Sequence, residues 1–188
     1  MKPIAVLDAC VLYPFLLRDF FLLLFTKGEL YLPRWSDEIQ EEWKRNLLAN
    51  RPDLSCHALE RTVALMNSLP FTLVARKKCD VFFPKLRQEA LPDPHDAHVI
   101  AAALACKANY IVTFNLKDFP STVLVKYHLT AIHPDTFVDI LVRAAKDRVL
   151  ATLEQQQKVL KRPPMLLREL VTNLQSLGLP SSLELILS

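Results

Sequence analysis

The sequence predicts an α/β fold, a three-layer α/β/α sandwich around a mostly parallel sheet, followed by a helical extension. Two observations support this prediction. Short apolar segments alternate with segments of helical periodicity through the first 134 residues, and after Pro134 the pattern contains helices only. Such alternation is typical of β–α–β units. We therefore divide the chain into a sheet-containing domain, residues 1–134, and a helical extension, residues 135–188.

The first β–α–β unit is predicted at the amino end of the chain. Residues 3–7 are apolar without alternation and end at Asp8, which indicates a short strand covered on both faces. Residues 15–27 are apolar nearly all round and predict a helix packed on the sheet. Within it, the block F-F-L-L-L-F at residues 20–25 is typical of core, with a partner or dimer contact as the alternative. A second strand is predicted at residues 29–32.

The next helix is predicted to begin after Ser36, a good N-cap, and to run to Leu48. Its apolar residues repeat every four positions; they are Ile39, Trp43 and Leu47. Glu42 lies at the edge of this inward face, where a carboxylate can reach a cleft. Helical phase favours Glu42 over its neighbour Glu41, which stays open as the alternative.

The remaining elements follow the same alternation. In the first domain they are a helix at 55–68, a strand at 71–74, a polar connection to Pro92, an Ala-rich helix at 96–106, and strands at 110–113 and 129–132. In the extension they are helices at 135–145 and 146–160, a break at Pro163 and Pro164, a helix at 165–177 and a short turn at 181–187.

Composition limits the class of protein more than its function. A hydrophobic content of 51% allows a sizeable core, and a formal charge of +3 is compatible with a polyanionic partner without requiring one. The four cysteines form no CxxC pair, which argues against a disulfide framework or a thiolate zinc site. Charges interrupt the apolar run at residues 4–25. We expect a soluble cytoplasmic protein without a membrane span.

Acidic and amide side chains follow several predicted strand ends and helix starts. They are Asp8, Glu42, Asp93, Asp96, Asn115 and Asp118. Because binding sites of parallel α/β sheets gather at the carboxyl ends of the strands, we expect these groups to converge there. Crowded carboxylates repel one another unless a cation neutralises them, and oxygen ligands suit Mg²⁺ or Mn²⁺. Such ions promote hydrolysis of phosphodiesters.

Four stretches carry a resemblance to a known family. They are V-L-D-A-C-V-L-Y-P, S-D-E-I-Q-E-E-W, D-P-H-D-A-H-V-I-A-A-A-L and Y-I-V-T-F-N-L-K-D-F. In this order and spacing the chain resembles the PIN-domain family, specifically the VapC-type toxin ribonucleases of bacteria, over residues 4 to about 134. The resemblance implies a Mg²⁺- or Mn²⁺-dependent endoribonuclease that acts on RNA, commonly forms a homodimer and is held inactive by a cognate antitoxin.

The resemblance also implies roles for individual residues. Asp8, Glu42 and Asp96 match the family's core acids, and Asn115 matches a position that is often Asp and often Asn. Asp93 matches a frequent additional acid. Two further residues are expected to support the site, and these are Thr113 and Asp118. The helical extension and the uncharged Asn115 depart from the usual small toxin.

Simpler readings remain open for several of these residues. Asp93 before Pro94 is a good N-cap, and Asp96 at the third helical position can accept amide hydrogens, so capping alone explains their spacing. His95 and His98 would need a third ligand to bind zinc. Arg18, Lys107, Lys117 and Arg45 are candidates for RNA backbone contacts or for a solvated face. The competing function is an inactive PIN-like module that binds RNA or a protein, with Asn115 marking degeneration.

Overall fold

The central element is a four-stranded sheet in which every strand is parallel to its neighbours. A computed structural model describes residues 2–160 and 164–187 of the chain. The strands are Ile4–Leu7 (β1), Leu32–Arg34 (β2), Tyr110–Val112 (β3) and Thr130–Ile132 (β4), in the order β2-β1-β3-β4. Residue Ile4 is opposite Leu32, and Ala5 is opposite Tyr110. The predicted α/β fold with a parallel sheet is confirmed.

Helices surround this sheet. In chain order they are Ala9–Leu12 (α1), Phe15–Thr26 (α2), Asp37–Asn50 (α3), Cys56–Asn67 (α4), Arg76–Asp80 (α5), Phe83–Leu86 (α6), Ala97–Ala105 (α7), Ser121–Leu124 (α8), Pro134–Val159 (α9), Leu167–Ser176 (α10) and Pro180–Leu187 (α11). Helices α2 and α9 pack together, and α7 packs against β1, β3 and α3. Since Ala5, Val6 and Leu7 are fully buried, both faces of β1 are covered.

Two predicted strands differ from the structure. The strand expected at 71–74 is wrong, because this segment makes only an isolated bridge between Leu73 and Trp35. Phe71 has a left-handed backbone with φ of 63°, and the pairing that follows it is limited to hydrogen bonds of Thr72 and Val74 with Trp35. The strand expected at 29–32 begins later, at Leu32, because Glu29 also has a positive φ of 47°. The connection before Pro92 contains the short helices α5 and α6.

Aromatic packing joins the extension to the sheet. The ring of Phe137 on α9 stacks on Phe21, with centroids 6.3 Å apart, and meets Tyr31 and Tyr110 edge-on. Within the predicted core block, Phe20, Phe21 and Leu24 are fully buried. Buried residues of both portions form one continuous core. The boundary at residue 134 remains a prediction, but α9 packs as part of the domain.

The extension shows one prediction that was nearly right and one that was wrong. The two helices expected at 135–145 and 146–160 are present as the two parts of α9, which is kinked where Ala145 has a non-helical backbone (φ −160°, ψ 61°) at the predicted junction. Residues 181–187 belong to helix α11 and do not form a short turn. Of the predicted break, Pro163 lies outside the described residues. No helix in the part of the chain that the structure describes is long and apolar enough to cross a membrane.

Asp135 ties the start of α9 to the start of α11. Its carboxylate accepts hydrogen bonds from the backbone amides of Ser181 (3.3 Å) and Ser182 (2.9 Å). Amides in a first helical turn have no partner within the helix, so a carboxylate there satisfies them and also stabilises the helix dipole. The contact therefore holds the start of α11 against the start of α9.

We predict that Asp135→Ala lowers the free energy of unfolding by about 1–2 kcal/mol, the usual effect of losing a helix cap. The measurement is urea unfolding followed by circular dichroism. Asp139→Ala on the same helix is the matched control, because Asp139 pairs only with exposed Arg143 and should leave stability close to the parent's. Equal stability of the Asp135 variant and the parent would contradict this role.

Candidate active site

Asp8 is a buried carboxylate at the carboxyl end of the central strand β1. Only 4% of the residue is exposed. One oxygen, Oδ1, accepts from the amide of Ala9 (2.7 Å), and Oδ2 accepts from the hydroxyl of Thr113 (2.6 Å) and the thiol of Cys10 (3.2 Å). Burial raises the pKa of Asp8, and these hydrogen bonds oppose the rise. Asp8 is thus held in one orientation from three sides.

Thr113 connects Asp8 to the loop after β3. Its hydroxyl donates to Asp8 and accepts from the backbone amide of Asn115 (2.9 Å). Asn115 therefore begins its loop beside the buried acid, although the described hydrogen bonds join its backbone and not its side chain to the site. Its side chain is exposed. Thr113 is fully buried, and its supporting role at the site stays a prediction.

Cys10 is a site residue that sequence reasoning missed. Its sulfur contacts Asp8 and the Thr113 hydroxyl (3.5 Å), and it accepts from the amide of Phe114 (3.4 Å). Burial raises the pKa of Cys10 to about 12, so the thiol stays protonated and acts as a donor. The only signal in the sequence was its place two residues after Asp8.

Glu42 and Glu41 have different environments on α3. Glu41 pairs with Lys44 at 2.6 Å and is 61% exposed, whereas the Glu42 side chain is 29% exposed and its Oε2 lies 3.3 Å from His98 Nε2. The negative charge of Glu42 also contributes to the raised pKa of Asp8. This geometry favours Glu42 as the acid that faces the site.

His98 is the second residue that sequence reasoning did not assign. Its Nδ1 donates to the carbonyl of His95 (2.7 Å), which directs Nε2 toward Glu42. Burial alone would lower the pKa of His98, but Glu42 and the His95 carbonyl together raise it above its usual value. With one ring nitrogen on a carbonyl and the other facing a carboxylate, His98 fits a positioning role better than a zinc ligand.

Asp93 and Asp96 have separate roles at the start of α7. The carboxylate of Asp93 accepts from the amide of His95 (2.8 Å) and caps a 3₁₀ turn at Pro94–Asp96. Asp96 makes no side-chain capping bond, so capping does not explain its presence. Burial raises the pKa of Asp96 to about 7, with the charges of Asp8, Asp93, Asp118 and Glu42 adding to the rise.

These residues surround an open cleft of about 420 Å³. Glu42, Asp93, Asp96 and His98 line it, together with the acids Asp37, Glu38 and Glu41 and the bases Arg45 and Arg76. Four other predicted acids lie near enough to Asp96 for their charges to raise its pKa, and these are Asp8, Asp93, Asp118 and Glu42. A cleft lined by several acids and by two arginines is suited to a phosphate-containing ligand held through a cation.

The family follows from comparison with known proteins. A family model described as PIN domain matches residues 5–117, more than half of the chain. The chain belongs to the PIN-domain family. A segment of 63 residues is 41% identical to a Mycobacterium tuberculosis (strain ATCC 25618 / H37Rv) protein named "Putative ribonuclease VapC50", and covers 31% of this chain and 37% of that protein. The match thus spans little more than a third of that relative. No solved structure gives a significant match.

The donor set of this PIN domain fits a divalent cation. Burial raises the pKa of Asp96, and the negative charges of nearby carboxylates raise it further. Within residues 2–160 and 164–187, however, no three acidic, His or Cys side chains stand together as a ready-made metal cluster. Without a cation, repulsion between the negative carboxylates keeps them apart. The residues that would hold the ion are those that the sequence predicted, and this assignment remains a prediction.

Arg18 is a structural residue of this PIN domain and does not face RNA. It is buried, donates to the carbonyl of Leu12 (2.6 Å) and lies over the ring of Trp43 at 4.4 Å. Burial lowers the pKa of Arg18 to about 10. The suggestion that Arg18 tracks an RNA backbone was wrong, since its guanidinium joins α1, α2 and α3. Of the candidate bases, Arg45 is the one that lines the cleft.

We predict that Glu42→Gln lowers the pKa of His98, because the carboxylate that favours the charged imidazole is removed. Histidine titration by NMR measures the change. Glu41→Gln, which changes the same charge one residue away, is the control and should leave the titration curve of His98 unchanged. A shift with Glu41→Gln and none with Glu42→Gln would reverse the assignment.

A second prediction concerns how the stability of the protein depends on pH when a chelator removes divalent cations. Because the pKa of Asp96 is raised from 3.8 to about 7, its charge destabilises the folded state increasingly as pH rises through this range. Asp96→Asn should stabilise the protein at pH 7.5 by on the order of 1 kcal/mol, a value discounted because the group is half-exposed. The gain should be smaller at pH 4.5.

Urea unfolding in EDTA at both pH values measures this effect. Asp147→Asn, at an exposed position on α9, is the control for loss of one negative charge. A gain that is the same at pH 4.5 and pH 7.5, or that Asp147→Asn reproduces, would show that the charge of Asp96 is not held in a repulsive site.

Proposed function

We propose that this PIN domain is a divalent-metal-dependent endoribonuclease that hydrolyses RNA phosphodiester bonds. The observation that carries the proposal is that Glu42 and Asp96, from separate elements, line one cleft, and that the buried Asp8 lies near enough for its charge to raise the pKa of Asp96. Membership of the PIN-domain family and the identity with a protein named as a ribonuclease support it.

In this proposal Mg²⁺ or Mn²⁺ is held by Asp8, Glu42, Asp93 and Asp96, with Asn115 completing the donor set. When bound, such an ion would lower the pKa of a water molecule and neutralise charge that develops on the phosphate. Because Asn115 adds an oxygen without a charge, we expect a single well-held ion. Asp118 contributes negative charge near Asp96 and is a supporting residue.

The protein's own groups would hold this site in shape. Thr113 and Cys10 hold Asp8 through hydrogen bonds, and His98 Nε2 lies 3.3 Å from the Glu42 carboxylate, with which a protonated His98 would form an ion pair. In metalloenzymes, loss of a hydrogen bond that positions a metal ligand lowers metal affinity or activity by roughly 10- to 100-fold. Arg45 and Arg76 line the same cleft and would bind flanking phosphates.

The biological role that we propose is that of a toxin in a bacterial toxin–antitoxin pair. It rests on the resemblance to the VapC type and on the 41% identity to the VapC50 segment. A cognate antitoxin protein, a homodimer and a cytoplasmic location follow from the same resemblance. The competing proposal is an inactive module that binds RNA or a protein, favoured by the uncharged Asn115 and by the lack of a preformed metal cluster among the described residues.

Asp96→Asn should reduce cleavage of a labelled RNA by at least about 100-fold in Mg²⁺ or Mn²⁺, because it removes a charged ligand from the centre of the site. EDTA should abolish the parent's activity. Glu41→Gln is the matched control on the cleft's edge and should retain activity within about twofold. Denaturing gels or a fluorescence assay measure the rates.

The outcomes separate the two proposals. Undiminished cleavage by the Asp96 variant would reject the site assignment, and RNA binding without scission by the parent would favour the inactive module. For the toxin role, expression of the parent but not of Asp96→Asn should arrest bacterial growth, and co-expression of the adjacent reading frame should relieve the arrest.

Arg45→Ala should weaken RNA binding by a similar factor for different sequences and reduce the salt dependence of binding. For a single strand, loss of one phosphate contact lowers the slope of log affinity against log salt by about 0.7. Fluorescence anisotropy at several salt concentrations, with the Asp96→Asn background preventing cleavage, measures the slope. Arg143→Ala, an equal charge change on α9 away from the cleft, should leave the slope unchanged.

A further inference from the structure

Gly178 lies in the turn between α10 and α11 and touches the loop that follows β3. Its φ of 107° is in a region that side-chain-bearing residues rarely adopt. A Cβ at this position would lie 2.5 Å from Cε1 and 3.0 Å from Cζ of Phe114. The backbone of the helical extension therefore lies directly against the Phe114 ring. A residue with a Cβ at position 178 would clash with this ring.

Phe114 lies between two residues of the candidate active site. On one side Thr113 donates to Asp8, and on the other the amide of Asn115 donates to Thr113. The amide of Phe114 itself donates to the sulfur of Cys10. A displacement of Phe114 would therefore change three hydrogen bonds around the buried carboxylate.

A second residue, His133, contacts the ring of Phe114. The ring of His133 meets Phe114 edge-on with centroids 5.1 Å apart, and its Nδ1 accepts from the amide of Asp135. Asp135 in turn holds the first amides of α11. Phe114 is thus enclosed between the end of β4 and the α10–α11 turn, and both are fixed to each other through Asp135.

From this arrangement we infer that the helical extension is a positioning element for the active site. Gly178 and His133 hold Phe114, and Phe114 holds the Thr113–Asn115 segment against Asp8 and Cys10. Gly178 and Phe114 are positioning residues that touch neither substrate nor ion. The inference rests on the proposed nuclease function for its effect on catalysis, but the mechanical coupling itself does not.

A double-mutant cycle tests the coupling. Gly178→Ala places a methyl group against the Phe114 ring, and we expect kcat for RNA cleavage to fall at least about 10-fold with KM nearly unchanged, because small misplacements at an active site are costly. Phe114→Leu removes the two ring atoms that the methyl group would meet. In that background Gly178→Ala should lower kcat by less than about threefold, since the clash is gone and only backbone strain remains.

Leu153→Ala is the control for loss of stability alone, because Leu153 is buried in α9 of the same extension. It should lower the unfolding midpoint without lowering kcat. Amide hydrogen exchange gives a second readout that needs neither RNA nor metal. In Gly178→Ala the amides of Phe114 and Asn115 should exchange faster relative to that of Ile111 in β3, whereas Leu153→Ala should leave this ratio unchanged.

The inference is overturned if Gly178→Ala leaves the exchange ratio as in the parent, if it lowers kcat equally in both backgrounds, or if Leu153→Ala lowers kcat as much. A parent protein that does not cleave RNA would reject the proposed function, and the exchange ratio would then decide the positioning role by itself. The two failures are therefore distinguishable.

Discussion

A buried, hydrogen-bonded carboxylate at the end of the central strand is the constraint on which the rest of the site depends. An ionised carboxylate without partners is costly to bury, and Asp8 meets this cost through the Ala9 amide, the Cys10 thiol and the Thr113 hydroxyl. Thr113 directly follows the neighbouring strand β3. The hydrogen bond from Thr113 therefore links the orientation of Asp8 to the pairing of β1 with β3.

The other acids add negative charge to this buried group without forming a closed site. Glu42 is held by His98 and Asp93 by a turn amide, while Asp96 has a pKa raised to about 7. Such an arrangement lowers the stability of the metal-free protein and favours any cation that enters, because the ion removes the repulsion. Local strain at a site that binds a charged partner is a common compromise between stability and function.

The features of the fold and site that could be predicted from the sequence are those encoded within short segments. Strand β1 and the acid after it, the Ser36 cap and the phase of Glu42 are properties of short segments, so the sheet and the acid set were predictable. The false strand at 71–74 followed the same apolar pattern, but its pairing is limited to an isolated bridge between Leu73 and Trp35. The contacts of His98 with Glu42 and of Gly178 with Phe114 join residues 56 and 64 positions apart, and no local pattern encodes them.

Paramagnetic broadening by Mn²⁺ tests most directly whether the separate acids share one ion. Added below stoichiometry to isotope-labelled protein, Mn²⁺ should broaden the amide signals around Asp8, Glu42, Asp96 and Asn115 together, because broadening falls steeply with distance from the ion. The account predicts that all four segments respond in parallel. Broadening confined to the outer edge of the cleft near Glu38, with the signals around Asp8 left sharp, would contradict it.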